Sequence, residues 1–417
     1  MPPAKNKNAP SPAARAPKRD AGRTATAVSV DGNSLSAVSV SLQSGKVRVE
    51  GVEHHELDHL VEVKRRIRHP VYMDLDVSVF PGKHIIASFY EVLFSQSRFR
   101  HPAVAVLPST RVQADSMEGE ATATAALARR ERLIEEHLPR NPMKYPLVFL
   151  FREYRKSPGL SVTRLASFRL ADFFPMVKMI GNLGAESLGA IYASDALERV
   201  LRLLNPAGID GSISLCNIGK LRTLYATSLA NGGIDHNPIP VGLARAGTQY
   251  FTSFEPSAVG VRKLREQYGD LFPVSASNET PPPDDPLGEI GMFASQVARF
   301  AGRASKGSQA ARGPLLVGGV GSHVPGLIDY LNRRTGGRVM HLEDSPSNPL
   351  RFADAISWSE VTDNILGLGA ALEAIDPSPW ALGPLRPEFH PTPLANGRCS
   401  VSEMGDGQLY VLEQSLE

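Results

Sequence analysis

Residues 315–331 read Leu-Leu-Val-Gly-Gly-Val-Gly-Ser-His-Val-Pro-Gly-Leu-Ile-Asp-Tyr-Leu, an apolar strand that runs through a three-glycine turn into an amphipathic helix. Leu315, Leu316 and Val317 read as the end of a buried strand. Gly318, Gly319 and Gly321 have no Cβ, so the backbone can turn tightly there and come close to a ligand. Ser322 is the expected helix N-cap and Pro325 falls in the first helical turn. Leu327, Ile328 and Leu331 form one apolar stripe. A turn of this kind presents backbone N–H groups at a helix N-terminus, which suit phosphate or ribose oxygens. The competing reading is a plain strand–helix connection, since glycine turns are common punctuation.

With 417 residues, the chain is long enough for two or three domains with real cores, and 42% hydrophobic with 21% charged residues is ordinary globular composition. A net charge of +2 is too balanced to argue for nucleic acid. Cys216 and Cys399 form no C-x-x-C pair, so neither a disulfide framework nor a zinc site is suggested and a reducing cytoplasm fits. No apolar run approaches the roughly 20 residues of a membrane span. Residues 1–24 carry Lys5, Lys7, Arg15, Lys18, Arg19 and Arg23 among Pro, Ala and Asn. They read as a disordered basic leader, or as a weak attraction to an anionic membrane surface.

Alternation at Val28 and Val30, the turn Asp31-Gly32-Asn33, and Leu35 to Val40 predict a β-hairpin, continued at 47–52 and 73–79. Residues 91–98 read as helix and 102–108 as a short strand. A helix over 121–137 and strands at 145–151 and 161–165 follow, then helices over 170–183 and 185–204. A strand at 213–216 passes through Asn217-Ile218-Gly219-Lys220-Leu221-Arg222 into 223–229, an Asn231-Gly232 hairpin turn and Ile239-Pro240-Val241-Gly242. Ile290, Phe293, Val297 and Phe300 have helical spacing. A last helix over 358–375 carries Gly367, Gly369 and Ala370 on a face suited to close packing.

Two halves that each open with a strand–turn–strand loop, plus the late glycine turn, resemble the actin-like ATPase superfamily. Within it the chain resembles the PilM family of type IV pilus assembly and, more distantly, the FtsA family. The resemblance spans about residues 25–376 and is carried by 217–242, by Gly318 to Gly326, by Ala105-Val106-Leu107-Pro108 and by Leu366 to Ala371. It implies an α/β, actin-like (ribonuclease H-like) duplicated two-domain fold with an inserted 1C-type subdomain. The implied layout is a leader (1–24), subdomain 1A (25–101), the insert (102–180), a return to 1A (181–210), domain 2 with the nucleotide loops (211–345), a closing helix segment (346–376) and an extension (377–417).

The same resemblance implies a nucleotide site of Asp31, Asn33, Ser34, Asn217, Gly219, Lys220, Arg222, Gly318, Gly319 and Gly321, with Asp31 toward the magnesium of Mg·ATP. Two departures stand out. The family's first loop begins Asp-Ile-Gly and carries a basic residue, whereas Asp31-Gly32-Asn33-Ser34-Leu35-Ser36 displaces the glycine and lacks the lysine. In the second loop an aspartate has become Asn217, and an amide cannot supply the charge a hard divalent cation prefers. Lys220 and Arg222 would then neutralise phosphate, or else they are two solvated hairpin residues. Weak or absent ATPase is expected.

By the resemblance the chain is a cytoplasmic scaffold, peripheral at the inner membrane, in a type IV pilus or type II secretion platform. It would bind the cytoplasmic N-terminal peptide of a PilN-like membrane protein, and meet a PilO-like protein and the motor ATPases indirectly. Self-association stays open. Two other classes compete: an FtsA-like filament anchor, and a sugar-kinase-type phosphotransferase with Glu186 as the acidic candidate for a general base. The end, residues 408–417, reads as a final strand or a partner-binding tail. His54, His55 and His59 read as a charged surface rather than a metal cluster.

Overall fold

The computed structural model describes residues 23–31, 34–56, 90–99, 102–107, 112–137, 147–169, 186–204, 213–220, 222–228, 234–239, 242–243, 294–299, 313–335, 339–345, 349–353, 356–378, 381, 392–393 and 408–412. The chain begins with β1 (Arg23–Asp31), β2 (Ser34–Gln43), β3 (Lys46–Glu56), a helical segment at 90–95 and β4 (Ala103–Leu107). Next come β5 (Val112–Glu120), α1 (Ala123–His137), β6 (Leu147–Ser157), β7 (Leu160–Arg169), β8 (Ser187–Tyr192) and α2 (Ala193–Leu204). A second run holds β9 (Ser214–Ile218), β10 (Thr223–Ser228), β11 (Ile234–Ile239), β12 (Leu315–Gly318), α3 (Leu327–Thr335) and β13 (Val339–His341). β14 (Arg351–Phe352), α4 (Trp358–Asp363), α5 (Ile365–Ile375), β15 (Thr392–Pro393) and β16 (Gln408–Leu412) complete the series.

Strand order is β14-β3-β2-β1-β4-β8 in the first sheet and β11-β10-β9-β12-β13 in the second. Apart from β14 the two match. Each begins as an antiparallel three-strand meander, and two further strands then add in parallel beside its first strand. The expected duplication is therefore visible in the topology itself. Parallel neighbours require crossovers, and crossover helices cover the sheet faces. β2 lies inside the meander between β1 and β3, and every residue from Ser34 to Ser41 is buried. Small Ser and Ala side chains alternate with Val and Leu there, and Ser29 and Ser36 satisfy each other at 2.6 Å.

On one face of the first sheet lies α2, whose Ala193, Ala196, Leu197, Val200, Leu201 and Leu204 are all buried. These follow the 3–4 spacing of a single helical stripe, with Asp195 in the first turn and Arg202 in the last, the polarity that suits the helix dipole. Across it runs α5, and its glycines make the crossing close. A Cβ on Gly367 would lie 2.8 Å from Val38 Cγ2, and one on Gly369 would lie 1.9 Å from the Ala196 carbonyl oxygen.

Several expectations change. The single helix over 358–375 is broken at Asn364 into α4 and α5. α4 opens with a capping box in which Ser357 and Glu360 exchange backbone and side-chain hydrogen bonds, an S-x-x-E signal present in the sequence. The helix expected over 185–204 begins only at Ala193. Its first part is β8, paired in parallel with β4, and Gly189 takes a φ of 97° that an α-helix cannot contain. Polar β5 had no strand expectation, yet it pairs with β7 as the edge of a third sheet ordered β15-β16-β6-β7-β5. Its charged residues suit an edge. The expected segments at 73–79, 170–183 and 231–232, and the leader up to residue 22, lie outside the described residues.

Three strands of the third sheet, β5, β6 and β7, are inserted with α1 between β4 and β8, so the chain leaves the first sheet after Leu107 and returns at Ser187, while β15 and β16 join that sheet from the C-terminal end. The expected insert limit at 102 thus precedes a strand, β4, that belongs to the first sheet. Within the insert, buried Arg129 of α1 donates to Thr163, Ser161, Glu153 and the Glu120 carbonyl at 2.6–2.9 Å. A second buried cation ties the insert to the first half. Arg164 of β7 meets Asp195 at 2.7 Å and Glu198 at 3.4 Å, both on α2. The tail expectation of a final strand holds: β16 runs antiparallel to β6, from Gln408 opposite Phe151 to Leu412 opposite Leu147.

At the end of α5, buried Glu373 accepts the Ser378 N–H at 2.6 Å and the Ser378 hydroxyl at 2.7 Å. Burial is the main cause that lifts its pKa from 4.5 to about 7. A carboxyl whose pKa rises on folding binds more protons in the native state over that interval, so stability falls as pH rises from about 4.5 through about 7. Glu373→Gln removes the titrating group. Urea denaturation at pH 5.0 and 7.5 should show a smaller loss for the variant than for wild type, and an equal loss would exclude Glu373 as a source of the pH dependence.

Candidate nucleotide-binding cleft

Each half offers one hairpin to the same place. β1 ends at Asp31, which stands opposite Ser34 across the first hairpin, and β9 ends at Ile218 before the second. Asp31 and Ser34, as directly paired residues, project to the same side. In the second half the parallel register sets Gly318 beside Asn217, so the glycine turn leaves β12 next to the second hairpin. Asp31, Asn217, Gly219, Lys220 and the glycine turn therefore form one constellation. Asn33 lies outside the described residues.

Contacts here are close. Asp31 Oδ2 accepts the Lys220 backbone N–H at 2.8 Å, joining the two halves. Gly219 permits that approach, because a Cβ there would lie 2.9 Å from the same oxygen and 2.9 Å from the Arg222 carbonyl oxygen. Gly319 has a φ of 85°, which L side chains rarely adopt, and a Cβ would meet Asn217 Oδ1 at 2.5 Å. A Cβ on Gly321 would strike Ile218 Cγ2 at 2.2 Å. Gly319 and Gly321 thus serve the packing of the turn onto the second hairpin, whereas a Cβ on Gly318 would face Leu342, Thr362 and Ile365 at 3.3–3.4 Å.

Donors expected to face a ligand are largely engaged within the chain. The Gly319 N–H donates to the Thr362 carbonyl at 2.9 Å, the Ser322 N–H to Gly319 and the Val324 N–H to Gly321. In the second hairpin the Gly219 N–H donates to Arg222 and the Leu243 N–H to Gly219. Ser322 is not the N-cap of α3. It sits in a 3-10 turn at Val320–His323, fully buried, with its hydroxyl unpartnered, and the α-helix begins four residues after the expected start, at Leu327 after Pro325. Nor is Lys220 a solvated hairpin residue, since it is 2% exposed. Arg222 is half-buried.

Two features carried no sequence signal. His323, in the glycine turn, pairs through Nε2 with Asp363 at 2.7 Å, and this bond is the first cause that raises its pKa. His341 stacks on it at 6.0 Å, and burial lowers the His341 pKa. Together with the Gly319–Thr362 bond, the His323–Asp363 pair fastens the glycine turn to α4. Its partners lie 40 residues apart, and no spacing rule links them.

These residues do not fit Mg·ATP as the actin-like class holds it. Asn217 brings no charge to a divalent cation, one Asp31 oxygen is engaged by the Lys220 amide, and the Gly219, Gly319, Ser322 and Val324 amides serve the fold. Among the described residues no group of three or more metal-ligating side chains is assembled. The feature most favourable to a ligand is Ser34, buried, with its hydroxyl unpartnered. One neutral donor contributes only about 1 kcal/mol, too little to offset a carboxylate facing a phosphate.

Glu186 fails as a phosphotransferase base. It precedes β8, exposed, and its carbonyl accepts the Ala103 N–H, while Ala103 also pairs with Thr26 near the start of β1. Asp31 stands five residues further along β1, roughly 16 Å at the strand rise. The acid and the cleft are at opposite ends of the sheet.

No protein-family model matches the sequence, and no match was found among curated proteins. The repeated sheets and facing hairpins define an actin-like α/β protein. More particularly, the chain has the fold of PilM. It aligns with a chain of a PilM–PilN type IV pilus biogenesis complex at a TM-score of 0.61 and 14% sequence identity, over 85% of this chain and 99% of that one. Looser likenesses are to the cytoplasmic domain of EpsL, an inner-membrane component of the type II secretion system of Vibrio cholerae (TM-score 0.38, 10% identity, 86% of this chain and 97% of that one). Another is to the ethanolamine utilization protein EutJ of Carboxydothermus hydrogenoformans (TM-score 0.40, 12% identity, 84% and 89%).

Proposed function

We propose that this chain is a cytoplasmic actin-like scaffold of a type IV pilus assembly platform, peripheral at the inner membrane, that grips the cytoplasmic N-terminal peptide of a PilN-like membrane protein. The observation that carries the reading is the reach of the PilM likeness, which takes in 99% of that chain rather than the shared core alone. The segment β5-α1-β6-β7 between β4 and β8 then stands as the 1C-type insert, and the peptide would lie between it and the first half. Among the described residues no helix is long and apolar enough to cross a membrane, so a membrane-anchored partner would supply the attachment. Little or no ATP turnover is expected, for want of a second carboxylate at Asn217. PilO-like proteins and the motor ATPases would join through the partner.

Affinity capture of the tagged full chain from detergent-solubilised membranes of its own host, with mass spectrometry, tests this. Recovery of a single-span protein with a short cytoplasmic N-terminal segment, and binding of that segment as a synthetic peptide, is the expected result. Capture of secretion-system components instead would move the protein to that machine. A tubulin-like division protein would favour the FtsA-like role, and an absence of any membrane partner would overturn the scaffold.

A further inference from the structure

Carboxylates and phosphate oxygens seek the same backbone amides, because each offers an anionic oxygen to an N–H. In the cleft a carboxylate of the chain already holds that position. Asp31 comes from the first half and the Lys220 amide from the second, and their 2.8 Å contact crosses between them. We propose that Asp31 is a built-in anion on the second hairpin: it takes the place of a terminal phosphate, holds the two halves closed without nucleotide, and makes closure independent of Mg·ATP. This rests on the actin-like fold and not on the pilus reading, so either can fail alone.

Three further observations support it. Lys220 is 2% exposed and Asp31 half-buried, so the contact is partly shielded from water, which strengthens a charge-assisted hydrogen bond. Gly219 leaves room for the carboxylate where any side chain would collide with it. The glycine turn is separately fastened to α4 by the Gly319 N–H to Thr362 bond and by His323 with Asp363. Elements that a nucleotide would otherwise draw together are thus joined by protein groups. The unpartnered hydroxyl of Ser34 stands beside the carboxylate that would repel a phosphate.

Residue-resolved amide hydrogen exchange on the full chain reads the contact directly. In nucleotide-free wild type the Lys220 amide should exchange slowly, and adding Mg·ATP should change neither that rate nor the small-angle scattering curve. Asp31→Ala should accelerate Lys220 exchange by about tenfold or more, the effect of losing one charge-assisted hydrogen bond. β2 amides should keep their wild-type rates. Asp31→Asn retains an acceptor oxygen without the charge and should restore only part of the protection. Fast Lys220 exchange in nucleotide-free wild type, further protection or compaction on adding Mg·ATP, or unchanged exchange in a folded Asp31→Ala would each overturn the proposal. If Asp31→Ala does not fold, the wild-type arm with and without Mg·ATP decides alone.

Discussion

Gly369→Val should destabilise the protein by about 3 kcal/mol, read as a lower urea midpoint at unchanged slope. A helical glycine normally costs about 1 kcal/mol relative to alanine, so propensity alone predicts a gain from filling it. Geometry outweighs propensity here. The added Cβ would lie 1.9 Å from the Ala196 carbonyl oxygen and 2.5 Å from its carbon, and these are backbone atoms of α2 that move only if the helix moves. α2 and α5 carry much of the first core, with Leu197, Val200, Leu368 and Ala371 all buried in it, so a shift there opens contacts along both helices. Gly367→Ala is the informative contrast. Its Cβ would meet Val38 Cγ2 at 2.8 Å, a side-chain terminus that can rotate, and its cost should be clearly smaller. Equal midpoints for Gly369→Val and wild type would disprove the close crossing.

Arg164→Met should cost about 3–5 kcal/mol, because removing one member of a buried ion set leaves the others uncompensated. The Asp195 and Glu198 side chains are 1% and 4% exposed, and Arg164 is the cation between them. Glu198 retains Arg202 at 2.8 Å, whereas Asp195 loses its 2.7 Å partner. Adding Asp195→Asn to Arg164→Met should therefore recover part of the loss. A double variant no better than the single one would show that Arg164 acts through packing rather than charge. The position has a second consequence. Arg164 belongs to the insert and both acids to α2, so the same substitution should loosen the insert against the first half, visible as faster amide exchange in β7 at unchanged rates in β9 and β10.

Much of the architecture was legible because its signals are local. The hairpin at Asp31, the helix at 123–137, the strand into the glycine turn and the stripe of Leu327, Ile328 and Leu331 all come from periodicity and turn residues within a few positions. The order of those pieces led to the actin-like class. Errors arose where long-range pairing overrode propensity. Ala190 and Leu188 favour helix in isolation, but β4 supplies a parallel partner and Gly189 a backbone turn, so the segment is strand. β5 is polar enough to pass for a loop, and only the neighbouring β7 makes it an edge strand.

The cleft divides in the same way. The resemblance set Asn217 against an expected aspartate and the first hairpin against an expected lysine, and that an amide brings no charge to a divalent cation is a property of the residue itself. The glycines were legible in the sequence itself, because nothing else lacks a Cβ. What those residues do was decided by the tertiary structure. Gly319 and Gly321 prove to be packing positions against Asn217 and Ile218, and Lys220 is buried rather than solvated. Asp31 reaches an amide 189 residues away. Hydrogen bonds act over about 3 Å of space regardless of separation along the chain, so composition determined which chemistry was available and folding determined which groups were close enough to use it.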